Sequence, residues 1–481
     1  MKEYNKILTS LGLHLPAKGT VAAVYFLGIG GIGMSALARY FKSLGVSVSG
    51  YDKTATALTN QLSEEGIDIH YEDDIERVDK TAQLVIFTPA VPKDHRELNF
   101  FRQHNYAVLK RSDVLGAITN SSFNICIAGT HGKTTTSTMV AHILRHSGFG
   151  CNAFLGGIAV NYNSNFWSSE NNVCVVEADE YDRSFLKLSP DIAVISSMDP
   201  DHLDIYGTAE NMEQAFIDFA ARVKPGGFLV HKYGLKRNAE LVADEFLTYH
   251  LYDHNADVYA TSIKMDNGSY LFDVVVNNTE GAPWVLKDVV LNMGGEHNIE
   301  NIIAAITVAH HIGLEDDKIV KAVADFRGVK RRFEYILKND KLVYIDDYAH
   351  HPEELRALIT GAKSMFPGKK CIVVFQPHLF SRTRDLADGF AEVLDLADEA
   401  ILLPIYPARE LPIEGVNSEM ILERMSSGDK IIMSRENLLK HFTLEKDAHL
   451  EEGFEGTVLI TAGAGDIDTL VQPIKKILNN E

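Results

Sequence analysis

The chain has 481 residues, 46% hydrophobic and 23% charged, which excludes a disordered, collagen-like or fibrous polymer. At about 150 residues per domain, that length points to three domains. Lys+Arg 46 against Asp+Glu 66 leave a net charge of −20, which argues against a nucleic-acid-binding face but leaves room for an anion in a local basic pocket.

The first predicted element is the apolar strand VAAVYFLG (21–28), which runs into GIGGIG and then a helical pattern, MSALARYFKSLG (34–45). Val21 to Ala38 carries no charge over 18 residues, long enough for a marginal membrane span. Gly28, Gly30, Gly31 and Gly33 interrupt its centre, so no membrane insertion is expected. Gly28-x-Gly30-x-x-Gly33 between strand and helix, with Asp52 ending the next strand, has the spacing of a dinucleotide fingerprint. Small residues there let backbone N–H groups approach a pyrophosphate at the positive end of a helix. Spacing alone leaves NAD, a UDP-sugar and a ligand-free tight turn all open.

A polar stretch, TNSS (119–122), marks a boundary before the second strand–loop–helix unit, FNICIAGT, HGKTTT and TSTMVAHILRHSG (136–148). Gly129-Thr130-His131-Gly132-Lys133-Thr134-Thr135 reads as a phosphate loop, with Lys133 reaching terminal phosphates and the Thr134 hydroxyl ligating Mg2+. The strict motif wants glycine at 127, where this chain has Ile127, so the loop is a shortened relative. A triphosphate site is of no use to a nicotinamide dehydrogenase, which lowers that reading. The strands ending in Glu177-Ala178-Asp179-Glu180 and in Asp199-Pro200-Asp201-His202 place Glu177 and His202 at the ligand-binding edge of a parallel sheet, as metal-side candidates.

Further along, residues 230–290 show short alternating runs, expected to be antiparallel strands attached to the central domain. A second boundary falls near FRGVKRRFE (326–334), followed by the strands LVYIDDY (342–348) and KKCIVVFQPH (369–378). The fold expected is α/β with three domains: 1–119 Rossmann-like, 120–328 a phosphate-loop ATPase with a parallel sheet, and 329–481 Rossmann-like. His350-His351 resembles a zinc pair, but neighbouring side chains on extended backbone point apart and share a metal poorly. The four cysteines, 126, 151, 174 and 371, form no CxxC pair and fit a reducing, cytoplasmic setting.

GTHGKTTT, EADEYDRSFL, MDPDHLD, GEHNIENIIAAI, GVKRRFE, DDYAHHPEE and FQPHLFSRT, in this order over almost the whole chain, closely resemble the Mur ligase family. The resemblance implies an ATP-dependent amide ligase that builds the peptide stem of peptidoglycan through an acyl phosphate. GIGGIGMSALA is similar to the loop of the alanine-adding branch, which implies L-alanine and UDP-N-acetylmuramate as small-molecule substrates, with the tripeptide-attaching recycling branch as the alternative. It also implies roles. Gly28, Gly30, Gly31, Gly33, Asp52 and His70 would bind the UDP-sugar. The phosphate loop would bind ATP with His297, Asn298, Asn301, Arg332 and Asp347. Thr134, Glu177 and His202 would hold Mg2+. Lys133, His202 and Arg332 would be catalytic, with Arg332 on the γ-phosphate. Tyr348, His350, His378 and Arg382 would surround the amino acid. Leu379 stands where some relatives carry arginine. No carbamylated lysine is expected, and a homodimer is allowed.

Overall fold

The computed structural model describes residues 2–13, 21–277, 282–408, 410–444 and 453–479. They build three β-sheets. The first contains β1 (Ala23–Leu27), β2 (Ser47–Tyr51), β3 (Asp68–His70), β4 (Leu84–Phe87) and β5 (Val108–Lys110), in the order β3-β2-β1-β4-β5. Every pairing is parallel. The second contains β6 (Phe123–Ala128), β7 (Asn152–Ala159), β8 (Ser164–Trp167), β9 (Val173–Glu177), β10 (Ile192–Ile195), β11 (Phe228–Lys232), β12 (Glu245–His250), β13 (Val258–Asp266), β14 (Ser269–Val276) and β15 (Trp284–Leu291). Their order is β15-β14-β13-β12-β11-β10-β6-β9-β7-β8. The third contains β16 (Glu334–Lys338), β17 (Leu342–Asp347), β18 (Lys370–Phe375), β19 (Glu399–Leu402), β20 (Lys430–Ile432) and β21 (Thr457–Ala462), in the order β16-β17-β21-β18-β19-β20.

The uncharged stretch 21–38 resolves into β1, buried at every position, and the helix Ile32–Ser43. Among the described residues no helix is long and apolar enough to cross a membrane. β1, β6 and β18 are central parallel strands flanked on both sides, which is why each reads as a continuous apolar run. All four cysteines are free and buried.

The chain packs as two compact units, Met1–Thr261 with Val274–Leu286 and Glu300–Val323, and Ser262–Asp273 with Lys287–Ile299 and Ala324–Glu481. Each of the three sheets lies within one of the three expected spans, and the first sheet and β6–β12 share one compact unit. One apolar core explains this: Phe26, Phe41 and Val114 belong to the same buried cluster as Cys126, Phe154 and Phe216. Within the run 230–290, β12 departs from expectation. β12 pairs parallel with β11 and with the start of β13, and the antiparallel reading fails there. The alternating pattern reports one buried face, which parallel and antiparallel edge strands share. Asp257 fixes this short connection by accepting hydrogen bonds from the Thr248 N–H (2.7 Å) and hydroxyl (2.6 Å).

Candidate active site

The phosphate loop links β6 to the helix Lys133–His146. Gly129 and Gly132 have φ of +136° and +82°, so the turn needs glycine at both. A Cβ on Gly132 would also lie 2.6 Å from Asn301 Oδ1. Neighbouring hydroxyls hold the loop open. Ser197 Oγ accepts from the His131 N–H (2.7 Å) and lies 2.9 Å from Thr130 Oγ1, while the Thr136 hydroxyl donates to Asn301 Oδ1 (3.2 Å). The His131 side chain is exposed, 3.8 Å from Asp199.

Lys133 Nζ donates to the Gly129 carbonyl (2.6 Å) and lies 2.8 and 2.7 Å from the two carboxylate oxygens of Glu180. The Thr134 hydroxyl donates to Glu177 Oε1 (3.0 Å), and Glu177 Oε2 accepts from the Gly156 N–H of β7 (2.9 Å). Burial pushes the carboxyls of Glu177 and Glu180 above the ordinary range, with Lys133 pulling both the other way. Two sequestered carboxylates beside one ammonium fit a divalent cation, which would relieve their desolvation. His202 lies with other partners, 3.9 Å from Glu180 and 3.7 Å from Asp201, and these three can share one ion. The expected metal residues therefore fall into two groups, Thr134 with Glu177 and His202 with Glu180 and Asp201. Sequence reasoning missed Glu180, although it stands in the same EADE run as Glu177.

The glycine-rich loop links β1 to the helix Ile32–Ser43, whose cap residue, Gly31, has no side-chain cap. Gly28 has φ +83° and sits where a Cβ would meet Thr88. Asp52 Oδ2 accepts from the Gly30 N–H (2.8 Å), so its carboxylate fixes the loop. His70 is buried in the core. Its Nε2 lies 2.9 Å from Glu97 Oε1, and the Tyr25 hydroxyl donates to the same carboxylate (2.6 Å). A cavity of about 290 Å³ lies against the glycine-rich loop and reaches Glu177, lined among others by Gly31, Gly33, Arg111, Gly156 and Asp179.

In the second unit, a tight turn with left-handed Arg331 and Phe333 sorts the two arginines. Arg331 Nε bonds Asp346 (3.2 Å) and Arg331 Nη2 the Gly463 carbonyl (2.5 Å), a structural role. Arg332 is exposed beside the Tyr348 ring, at 6.0 Å. Asp347 accepts from the N–H groups of Phe333 (2.6 Å) and Ala349 (2.7 Å), and burial raises its carboxyl. His297 folds over Gly295, and the Asn298 side chain donates to the Gly294 carbonyl (2.5 Å).

Tyr348, His350, His378 and Arg382 form one cluster. The His350 ring stands 5.1 Å from Tyr348 and 6.2 Å from His378, and Arg382 Nη1 lies 3.4 Å from His378 Nδ1. Burial lowers both imidazoles, and the nearby Arg382 charge lowers them further. Asp385 is taken by Arg384 (2.7 Å), and among the described residues no carboxylate pairs with Arg382. Tyr406, which sequence reasoning missed, stacks on His378 at 5.8 Å. His351 caps the helix Pro352–Met365 in a capping box with Glu354, so the adjacent histidines serve different ends.

Three family models cover the chain in order: the Mur ligase family catalytic domain at 23–123, the Mur ligase middle domain at 127–309, and the Mur ligase glutamate ligase domain at 331–465. A curated UDP-N-acetylmuramate–L-alanine ligase of Flavobacterium johnsoniae is 47% identical over 95% of this chain and 98% of its own length. The chain belongs to the Mur ligase family. The enzyme of the same name from Cytophaga hutchinsonii is 48% identical over 95% of this chain and 96% of that relative. Among solved structures, a UDP-N-acetylmuramate–alanine ligase from Thermotoga maritima superposes with a TM-score of 0.77 at 27% identity, covering 95% of this chain and 99% of that one. A murein peptide ligase from Psychrobacter arcticus, at 22% identity and TM-score 0.65 over 96% of this chain and 99% of that one, shares the fold.

Proposed function

We propose that this Mur ligase joins L-alanine to UDP-N-acetylmuramate with hydrolysis of ATP to ADP and phosphate, in peptidoglycan synthesis. The observation that carries the reading is the near-full-length identity of 47% to a ligase of that name. A carboxylate is a poor electrophile, so amide formation needs its oxygen phosphorylated first. The muramate carboxylate attacks the γ-phosphate, and the alanine amine then displaces phosphate from the acyl carbon. Lys133 and Arg332 stabilise charge on the transferring group. Thr134 and Glu177 in one group, and His202 with Glu180 in the other, would hold Mg2+, which would supply charge neutralisation at the phosphates. Asn301 props the phosphate loop, while His297, Asn298 and Asp347 serve the nucleotide. His350, His378 and Arg382 hold the amino acid beside Tyr348. The division at 119/120 and 328/329 is part of this reading, supported by the spans of the three family models. Its setting is the cytoplasm.

Phosphate release on mixing the protein with ATP, UDP-N-acetylmuramate and either L-alanine or a stem tripeptide tests the reading. Turnover with L-alanine is expected. Turnover with the tripeptide alone would move the chain to the recycling branch.

A further inference from the structure

The wall of the cavity beside the glycine-rich loop contains an arginine whose one ion pair among the described residues is long, 3.9 Å to Asp179. Arg111 opens the helix Arg111–Asn120, directly after β5. Its side chain is 25% exposed, and its guanidinium makes no hydrogen bond to any described residue. The nearest carboxylate, Asp179 Oδ2, is 3.9 Å away, too far for one. Arg39, by contrast, is satisfied by both oxygens of Glu65 and by Asn165 Oδ1. A planar fork of five donors held in a cavity with no hydrogen bond to a described residue is suited to an oxyanion.

The placement of Gly33 adds a second observation. A Cβ there would lie 2.9 Å from Arg111 Nη1 and 3.2 Å from Cζ. The last glycine of the fingerprint therefore makes room for a guanidinium, where in dinucleotide folds it serves helix–strand packing. Beside Gly33, the start of the helix Ile32–Ser43 has no side-chain cap, and Gly31, Ile32 and Gly33 line the same cavity as Arg111.

We propose that Arg111 binds the pyrophosphate of the UDP-sugar, clamping it against the glycine loop. This rests on the substrate reading above. The contact is charge-assisted and to the pyrophosphate, so it is shared by every uridine nucleotide that carries one at this loop.

The test uses the full-length protein, as wild type, Arg111→Ala and Arg111→Lys, and measures dissociation constants for UDP, UDP-N-acetylmuramate and ADP. Arg111→Ala is expected to weaken UDP and UDP-N-acetylmuramate by the same factor, about 10- to 150-fold. ADP, held by the phosphate loop, should change less than about 2-fold, and Arg111→Lys should recover part of the loss. Unchanged UDP affinity in either folded variant would overturn the proposal. So would a loss confined to UDP-N-acetylmuramate, which would put Arg111 on the muramate carboxylate, or wild-type protein that binds UDP-N-acetylmuramate but not UDP. An equal loss for ADP would reduce Arg111 to a structural residue. Wild-type protein that binds no uridine nucleotide would defeat the substrate reading itself.

Discussion

The two glycine-rich loops of the first unit begin alike and are completed differently. Each follows a buried parallel strand, opens a helix and contains at least one positive-φ glycine, Gly28 in the first and Gly129 and Gly132 in the second. The phosphate loop carries its own cation, Lys133, and its own metal-side hydroxyl, Thr134, inside the motif. The GIGGIG loop carries neither. Its acid, Asp52, sits on the neighbouring strand's end and holds Gly30, and the cation beside it, Arg111, arrives on another helix. A loop that contains its charge can be identified from local spacing. A loop that borrows its charge is ambiguous until the fold is known, and for that reason spacing alone left NAD and UDP unresolved.

The largest effect should come from removing the built-in charge. Lys133→Ala deletes the ammonium that meets Glu180 and that the proposed function puts on the γ-phosphate. Phosphate release should fall by at least about 10²–10³-fold in a protein whose circular dichroism is unchanged. The variant also leaves Glu180, 1% exposed, without its ion partner, so a lower unfolding midpoint is expected alongside. Near-normal turnover by the folded variant would break the comparison at its stronger side.

FQPHLFSRT is a third loop that, like the phosphate loop, carries its cation inside the motif. Arg382 has no acid among the described residues and points its charge at His378. Arg382→Ala should raise the KM for L-alanine about 10- to 150-fold while the KM for ATP stays within about 2-fold. An equal rise in both would show that the arginine supports the unit as a whole. Asp52→Ala tests the borrowed side. It leaves the Gly30 N–H without its acceptor, and UDP binding should weaken by about 2- to 12-fold. A loss beyond about 100-fold would mean that the carboxylate also touches the ligand.

The sequence made the strand–loop–helix units legible because each is local: an apolar run, a glycine turn, an amphipathic helix. The resemblance to the Mur ligase family also grouped Tyr348, His350, His378 and Arg382, whose motifs follow β17 and β18, the two strands on either side of β21. Arg111 and Tyr406 left no signal, because what distinguishes them is a partner remote in sequence: Gly33 for one, the His378 ring for the other. Glu180 was visible as an acid but not as the acid, since register alone does not say which carboxylate of EADE turns toward Lys133. His70 ends its strand as a site residue would, yet Glu97 and Tyr25 draw its side chain into the core. Parallel pairing of β12 was illegible because period-two burial is the same for both strand directions.

The smallest predicted effect concerns pH and the two imidazoles, His350 and His378, that stand beside Arg382. In the folded protein, burial lowers the pKa of His350 and His378. Arg382 pushes in the same direction on both, and Glu354 and Glu410 oppose it at His350 and His378 respectively. An unfolded histidine titrates at about 6.5. As pH falls through that value the unfolded chain takes up protons first, so these two groups withdraw stability until the pH drops below their folded values. Above the unfolded value both are neutral in either state and contribute no slope. Asp346 acts with the opposite sign. Burial holds its carboxyl up to about 7 despite Arg331, so between about 3.9, the ordinary unfolded value, and 7 the folded form binds more protons and stability falls as pH rises. The wild-type profile mixes the two, and only a difference isolates the histidines. Urea midpoints of wild type and of the double variant His350→Asn, His378→Asn should differ by a constant at pH 7.5 and above. Below about pH 6.5 the variant should gain relative to wild type, because it no longer has neutral imidazoles to protect. A gap that stays constant down to pH 5 would mean that the cluster is open to water and that its charge state is not set by the fold.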